Sequence, residues 1–190
     1  KANVKMQLEN GWMHGTVSKN SIDLSEKISK AVPIAEKVRY ASTGTEATMY
    51  AIRAARAFTG KTKIGVFDGS YHGAHDYVAV EVDKGSARNN PTLQPYGAGV
   101  PRETLDQVIM LPYRADESFD IIRQNKNELA IVLIEPIQSS NPRLDCGDFL
   151  RALKDVCREC DVIFLMDEVI TGFRLAYGGG QELFDVTPDM

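Results

Sequence analysis

The sequence predicts an α/β fold, a mostly parallel sheet with helices on both faces, on three observations. Two runs, LAIVLI at 129–134 and VIFLM at 162–166, are apolar throughout and lack the alternation of a half-exposed strand. Helical patterns of roughly ten to fifteen residues separate such runs, as crossover connections require. Turn-forming and polar residues gather directly after the runs, where an open parallel sheet places its ligand crevice.

Each element can be argued in order. Residues 18–32, SKNSIDLSEKISKAV, carry Ile22, Ile28 and Ala31 at helical spacing with Leu24 nearby, and Pro33 closes the helix. KVRYA at 37–41 reads as a short strand. The next helix runs from Thr43 to about Gly60, with Thr43-x-x-Glu46 as a capping box and Gly60 as the stop. Its Ala47, Ala51, Ala54 and Ala55 leave a narrow face suited to close packing on a sheet. KIGVF at 63–67 is a strand, DGSYHG at 68–73 a turn, and DYVAVEV at 76–82 another strand. Residues 84–106 hold too many breakers for a core element and read as one long loop. A strand at 107–113, a helix at 116–128, the apolar strand at 129–136, a helix at 147–161 and a strand at 162–168 complete the pattern. No repeat, low-complexity tract or interdomain linker interrupts it.

Composition narrows the function classes. With 43% hydrophobic and 25% charged residues over 190 positions, the chain can bury a sizeable core. A net charge of −4 without a Lys/Arg cluster argues against a nucleic-acid surface or an anionic membrane and for a small-molecule ligand. The apolar runs are too short to span a bilayer and KANVKMQLEN lacks the plan of a signal peptide, so a cytoplasmic location is expected. Three cysteines make no disulfide framework. Cys157 and Cys160 form a lone C-x-x-C, with only Cys146 besides and His14, His72 and His75 distant in sequence; two thiols on one helix are expected rather than a zinc site. Because the chain opens on Lys1 and stops at Met190 directly after FDVTPD, a fragment or a part of a longer chain is expected.

Four features should share one crevice at the strands' carboxyl ends: STGT after 37–41, DGSYHG after 63–67, EPIQ after 130–134, and DEVITGFR after 162–166. Gly44 lets backbone approach a ligand, and the amides of the following helix suit an anion, with Thr43 and Thr45 adding hydroxyls. A merely well-capped helix would account for Thr43 and Glu46 equally. Tyr71 and His72 sit on a glycine-bracketed turn, where an aromatic covers a planar ligand or simply lies on the surface. Asp167 must be paired, because a carboxylate ending an apolar strand is desolvated. A P-loop NTPase also ends a strand in acids, but GKT at 60–62 follows a helix and precedes a strand, and Ala55 stands where its first glycine belongs. The alternative partner for Asp167 is a protonated pyridine. Acidic strand end, anion-binding helix start and aromatic cover are the fixtures of a pyridoxal 5'-phosphate (PLP) site, although no lysine can be assigned to it.

At this point a family resemblance is visible. KVRYASTGTEATMYAIRAARAFTGKTKIGVFDGSYHG, IVLIEPIQ, FLMDEVITGFRLAYGGGQELFDVTPD and DLSEKISKAVP together resemble, in collinear order, the class III aminotransferases of PLP fold type I, and within them the glutamate-1-semialdehyde aminomutase group. The resemblance implies phosphate binding at Thr43, Gly44 and Thr45, with Thr43 where the family has serine. It implies ring cover by Tyr71 with His72 beside it, the pyridine-nitrogen carboxylate at Asp167, and Val169 against the other ring face. Glu135 and Arg174 match residues that support the site; Glu168 is expected to face away from the ring in a structural role. Pyridoxamine 5'-phosphate would be the alternate cofactor form. The PIQSSNPRLD stretch at 136–145 is similar to amino-transferring domains of polyketide and peptide synthases, which implies a carrier-bound keto-acyl thioester besides small amino and keto compounds. Residues 1–190 would be the central part of one PLP-binding large domain of a homodimer. The Schiff-base lysine, the C-terminal small domain and a sheet strand inserting between those present would lie beyond Met190, leaving a gap with exposed strand edges. Without its lysine the chain alone would be a catalytically silent binder of a phosphate ligand.

Overall fold

The computed structural model describes residues 1–11, 15–86 and 92–190, so His14 and residues 87–91 of the expected loop lie outside the described residues. Two compact units are present, Lys1–Val38 and Arg39–Met190. The first holds α1 (Ala2–Glu9) and α2 (Lys19–Ala31). Helix α2 matches the expected segment: the Ser18 hydroxyl accepts from the Ser21 amide at its start, and Pro33 follows its end. Helix α1 has no sequence signal, because Val4, Met6 and Leu8 recur every second residue rather than along one helical face, and all three are exposed.

The second unit is built on a four-stranded, all-parallel sheet in the order β4-β1-β5-β6, from β1 (Lys63–Phe67), β4 (Val108–Leu111), β5 (Leu129–Ile134) and β6 (Ile163–Met166). Strand β5 lies inside the sheet and every one of its residues is buried, which explains its unbroken apolar run. Its Val132 and Ile134 join a core with α5 (Gly147–Glu159), while Ile131 and Leu133 join the opposite core with α3 (Gly44–Thr59). Helix α5 presents Leu150, Leu153 and Cys157 to the first core, flanked by Cys146 and Cys160; the three cysteines are buried free thiols. Burial pushes the Cys157 thiol well above the ordinary cysteine range and raises that of Cys160, so they act as small apolar side chains. Helix α4 (Glu117–Asn125) adds Ile122 to the same core.

Several expectations are corrected. KVRYA forms no strand: residues 37–41 pair with none of the described strands, and a β-rich composition is not enough without a ladder partner. The strand expected at 76–82 is only Val80–Val82 (β2). Its antiparallel partner is Leu93–Pro95 (β3), inside the stretch read as loop, which also holds a 3-10 turn at Arg102–Gln107. The sheet has no gap between its four strands. On the outer side of β6, Phe164 O accepts from the Asp189 amide and the Met166 amide donates to Met190 O, so these edge groups are paired. The capping box is also modified. Thr43 Oγ1 accepts from the Glu46 amide at 3.1 Å, but the Glu46 carboxylate reaches the Ser42 amide at 2.8 Å instead of that of Thr43. At the other end Gly60 takes the left-handed conformation, φ 70°, as the stop requires.

Leu133 is fully buried among β5's neighbours on the α3 side. Leu133→Ala is expected to cost about 2–5 kcal/mol and Leu133→Met less than about 1.5 kcal/mol, measured by urea unfolding.

Candidate active site

Since β1, β5 and β6 are parallel, their carboxyl ends lie along one edge of the sheet. A cavity of about 290 Å³ lies there, close to the lower bound of ordinary small-molecule sites. Its walls include Gly44 and Thr45 from the start of α3, Tyr71 and His72 after β1, Glu135 after β5, and Asp167 and Val169 after β6. The structure thus brings together seven residues singled out from the sequence. Thr43 and Arg174 do not line the cavity; Thr43 is the exposed cap of α3, and Arg174 is exposed.

Asp167 continues β6 by one residue, its amide donating to Ile134 O at 2.8 Å, and is only 8% exposed. Both carboxylate oxygens have a donor. His72 Nδ1–H donates to Oδ2 at 2.8 Å, and the Val169 amide donates to Oδ1 at 3.1 Å. These bonds offset the desolvation of the carboxylate and set the plane of the imidazole. Each oxygen keeps a further lone pair, so Asp167 can still accept from a cationic donor in the cavity. His72 is itself buried, and its Nε2 has no partner among the described residues.

The turn carrying His72 is held from two other elements. Thr48 on α3 donates its hydroxyl to His72 O at 2.7 Å, and Thr45 Oγ1 accepts from the Ala74 amide at 3.1 Å. Buried Glu135 accepts from the Tyr71 amide at 2.9 Å through one oxygen and from the Ser139 amide at 3.2 Å through the other. Its carboxylate therefore fixes the backbone of Tyr71, whose side chain remains 63% exposed at the cavity mouth. Gly73 adopts φ 108°, and a Cβ there would meet Thr45 Cα at 2.7 Å, so no other residue lets α3 and this turn approach so closely. At Gly44 a Cβ would press on Val169 Cγ2 at 3.1 Å. The amides of Gly44 and Thr45, in the first helical turn, have no intrahelical acceptor and suit an anion.

Glu168 is turned out of this site. Its carboxylate accepts from the Thr171 hydroxyl at 2.7 Å, from the Gly180 amide, and from the amide and side chain of Gln181. It thereby caps α6 (Gly180–Phe184), a short helix that the glycine run at 178–180 conceals in the sequence. The sequence reasoning missed Gly73, Ser139 and Ile170 on the cavity wall and Thr48 behind it. Thr48 had a signal: a hydroxyl four residues after Gly44 on the inner face of an alanine-rich helix.

Comparison with known proteins gives the family and the fold. The family model described as aminotransferase class III matches residues 2–190. The chain is 43% identical over 189 residues to a glutamate-1-semialdehyde 2,1-aminomutase of Methanocaldococcus jannaschii, covering 98% of this chain and 44% of that protein. It is 42% identical over 193 residues to the protein of that name from Methanosarcina acetivorans, covering 100% and 45%. Among solved structures, an omega-transaminase from Sphaerobacter thermophilus superimposes with a TM-score of 0.91 at 36% identity, over 99% of this chain and 44% of that one. The chain spans less than half the length of these relatives. It nevertheless carries the family's pattern from residue 2 to residue 190, and it belongs to the class III aminotransferases.

Proposed function

We propose that the protein containing this chain transfers amino groups with PLP, as an aminotransferase or a glutamate-1-semialdehyde 2,1-aminomutase. The observation that carries this reading is the buried Asp167 carboxylate sharing one cavity with the open amides of Gly44 and Thr45. A cationic ring nitrogen and an anionic phosphate on one small planar ligand meet both demands. The residues fit PLP: spare lone pairs on Asp167, a close-approach cradle at Gly44, and a cavity of about 290 Å³. When bound, PLP supplies the electron sink that stabilises negative charge on the substrate carbon.

Each residue then has a role. Asp167 accepts from the ring nitrogen and favours its protonated form, since an adjacent opposite charge supports the charged state. His72 is a positioning residue that holds Asp167 through Oδ2. The Gly44 and Thr45 amides hold phosphate, with the Thr45 hydroxyl as a further donor and Thr43 acting through the helix start. Tyr71 would cover one ring face and Val169 the other, while Glu135 fixes the backbone that carries Tyr71.

Among the described residues no lysine lines the cavity. This supports placing the cofactor-carrying lysine outside the 190 residues, which form the central part of a PLP-binding large domain. The chain alone would then be a silent binder of a phosphate ligand. The intact protein is inferred to be a cytoplasmic homodimer acting on small amino and keto compounds. PIQSSNPRLD adds a carrier-bound keto-acyl thioester as a candidate substrate, and Ser139 of that stretch reaches the cavity wall. No described helix is long and apolar enough to cross a membrane.

Adding PLP to the full-length protein is expected to give the absorbance of a lysine-bound cofactor, and adding it to residues 1–190 alone is expected not to. A lysine adduct at this cavity in the short chain would overturn the placement of the lysine. A neighbouring charge shifts a pKa by ~1–3 units, so Asp167→Asn is expected to slow single-turnover amino transfer ~10- to 1000-fold. Wild-type rates in that variant would remove Asp167 from its assigned role. His72→Phe is expected to slow the same step less than Asp167→Asn, and His72→Asn, which restores a donor, is expected to recover part of the loss.

A further inference from the structure

A second cavity, about 210 Å³, opens farther along α3. Ile52, Arg53 and Arg56 from α3 line it together with His75, Asp76 and Tyr77 from the segment leading to β2. Nothing in the amino-transfer reading uses these residues. Yet two polar atoms among them, Arg56 Nη2 and His75 Nδ1, are buried with no partner among the described residues. Leaving both unpaired is costly, and a ligand that drew either atom to the cavity surface would recover that cost.

Both side chains are held in place. Arg56 Nε–H donates to Thr62 O at 2.6 Å, and its guanidinium carbon lies 4.2 Å from the centre of the Tyr77 ring. His75 Nε2 lies 3.3 Å from Thr48 Oγ1. The Thr48 proton is engaged by His72 O at 2.7 Å, so the hydroxyl accepts here and His75 Nε2–H donates. The remaining nitrogen, Nδ1, is left for a ligand.

We propose that this cavity seats an oxyanion, a carboxylate or a phosphate, between the guanidinium groups of Arg53 and Arg56 and the Nδ1 of His75. Two guanidinium groups against the single carboxylate of Asp76 leave the wall net positive. The volume suits inorganic phosphate or a short dicarboxylate and is too small for a nucleotide. The oxyanion has two possible sources: a free anion, or a carboxylate side chain from another part of the full-length protein.

The seat couples to protonation. Burial pushes the His75 imidazole below the ordinary histidine range; Asp76 opposes the shift, and His72, Arg56 and Arg53 add to it. A bound oxyanion favours the charged imidazole, so its affinity rises as pH falls through the His75 titration.

The test uses the full-length protein saturated with PLP, so that the first cavity cannot take the probe. With 15N-labelled histidine and the His75 signal assigned by its loss in His75→Gln, inorganic phosphate and glutarate are titrated separately. His75 is expected to move saturably towards its charged form, more tightly at pH 6.5 than at pH 8 for glutarate. Arg53→Gln and Arg56→Lys are each expected to weaken the response about tenfold, the scale of one charge-assisted hydrogen bond. Arg53 is exposed, so its substitution leaves the fold intact even if that of Arg56 does not. If His75 is charged from the outset at both pH 6.5 and pH 8 and insensitive to both probes, the oxyanion comes from the protein itself and the seat stands. A neutral His75 that ignores both probes, or a response that survives both arginine substitutions, overturns it.

Discussion

The buried contact between Asp167 and His72 is the constraint on which the site depends. A carboxylate cannot sit desolvated at the end of β6 without donors, and His72 can supply one only if the turn after β1 is carried across to it. The rest of the polar architecture serves that requirement. Thr48 holds the His72 carbonyl from α3, Thr45 holds the Ala74 amide, and Glu135 holds the Tyr71 amide from the end of β5. Two elements, α3 and the end of β5, thus converge on the segment from Tyr71 to Ala74. Because each tie is a side chain bonded to backbone, the turn is set without using up the Gly44 and Thr45 amides or the spare lone pairs of Asp167.

Adjacent acids at the end of the same strand illustrate how local alternation assigns roles. Successive side chains in extended backbone point to opposite sides, so Asp167 and Glu168 cannot share an environment. Asp167 enters the cavity; Glu168 goes to the start of α6, where four donors surround it. The same spacing explains the glycines at 179 and 180. A Cβ at either would come within 3.0 Å of the Glu168 carboxylate, so the run that looks like a loop breaker is the space that carboxylate needs.

What the sequence shows, and what it hides, follow from whether the determining interaction is local. Strands β5 and β6 and helix α5 were legible because burial writes itself into residue type along a single segment. Helix α3 was legible through Thr43 and Gly60, which act within one turn of the elements they bound. By contrast KVRYA has the composition of a strand but no partner among the described strands, and β3 depends on β2 across the stretch that contains residues 87–91. Helix α6 depends on a carboxylate twelve residues upstream. The cavity residues were legible for a topological reason: a parallel sheet sends every loop after a strand to one edge, so Tyr71, Glu135 and Asp167 could be grouped before any distance was known. Thr48 escaped because it works from behind a motif rather than within it, and Ser139 because its bond to Glu135 is made by the backbone amide, which residue type does not reveal.

Thr48 also links the two cavities along α3. Its hydroxyl donates to the His72 carbonyl on one side and accepts from His75 Nε2 on the other. A hydroxyl has one proton, so engaging it at His72 fixes which nitrogen of His75 is left over. The orientation of the turn that supports Asp167 and the hydrogen-bonding state of His75 are therefore not independent. A change that moved His75 towards the second cavity would lengthen its contact with Thr48 but leave the bond to His72 intact. Loss of the His72 bond would leave the Thr48 proton to the Gly44 and Thr45 carbonyls, at 3.1 and 3.2 Å, and the hydroxyl would still accept from His75 Nε2. Whatever coupling this hydroxyl carries between the two contacts acts equally in both directions.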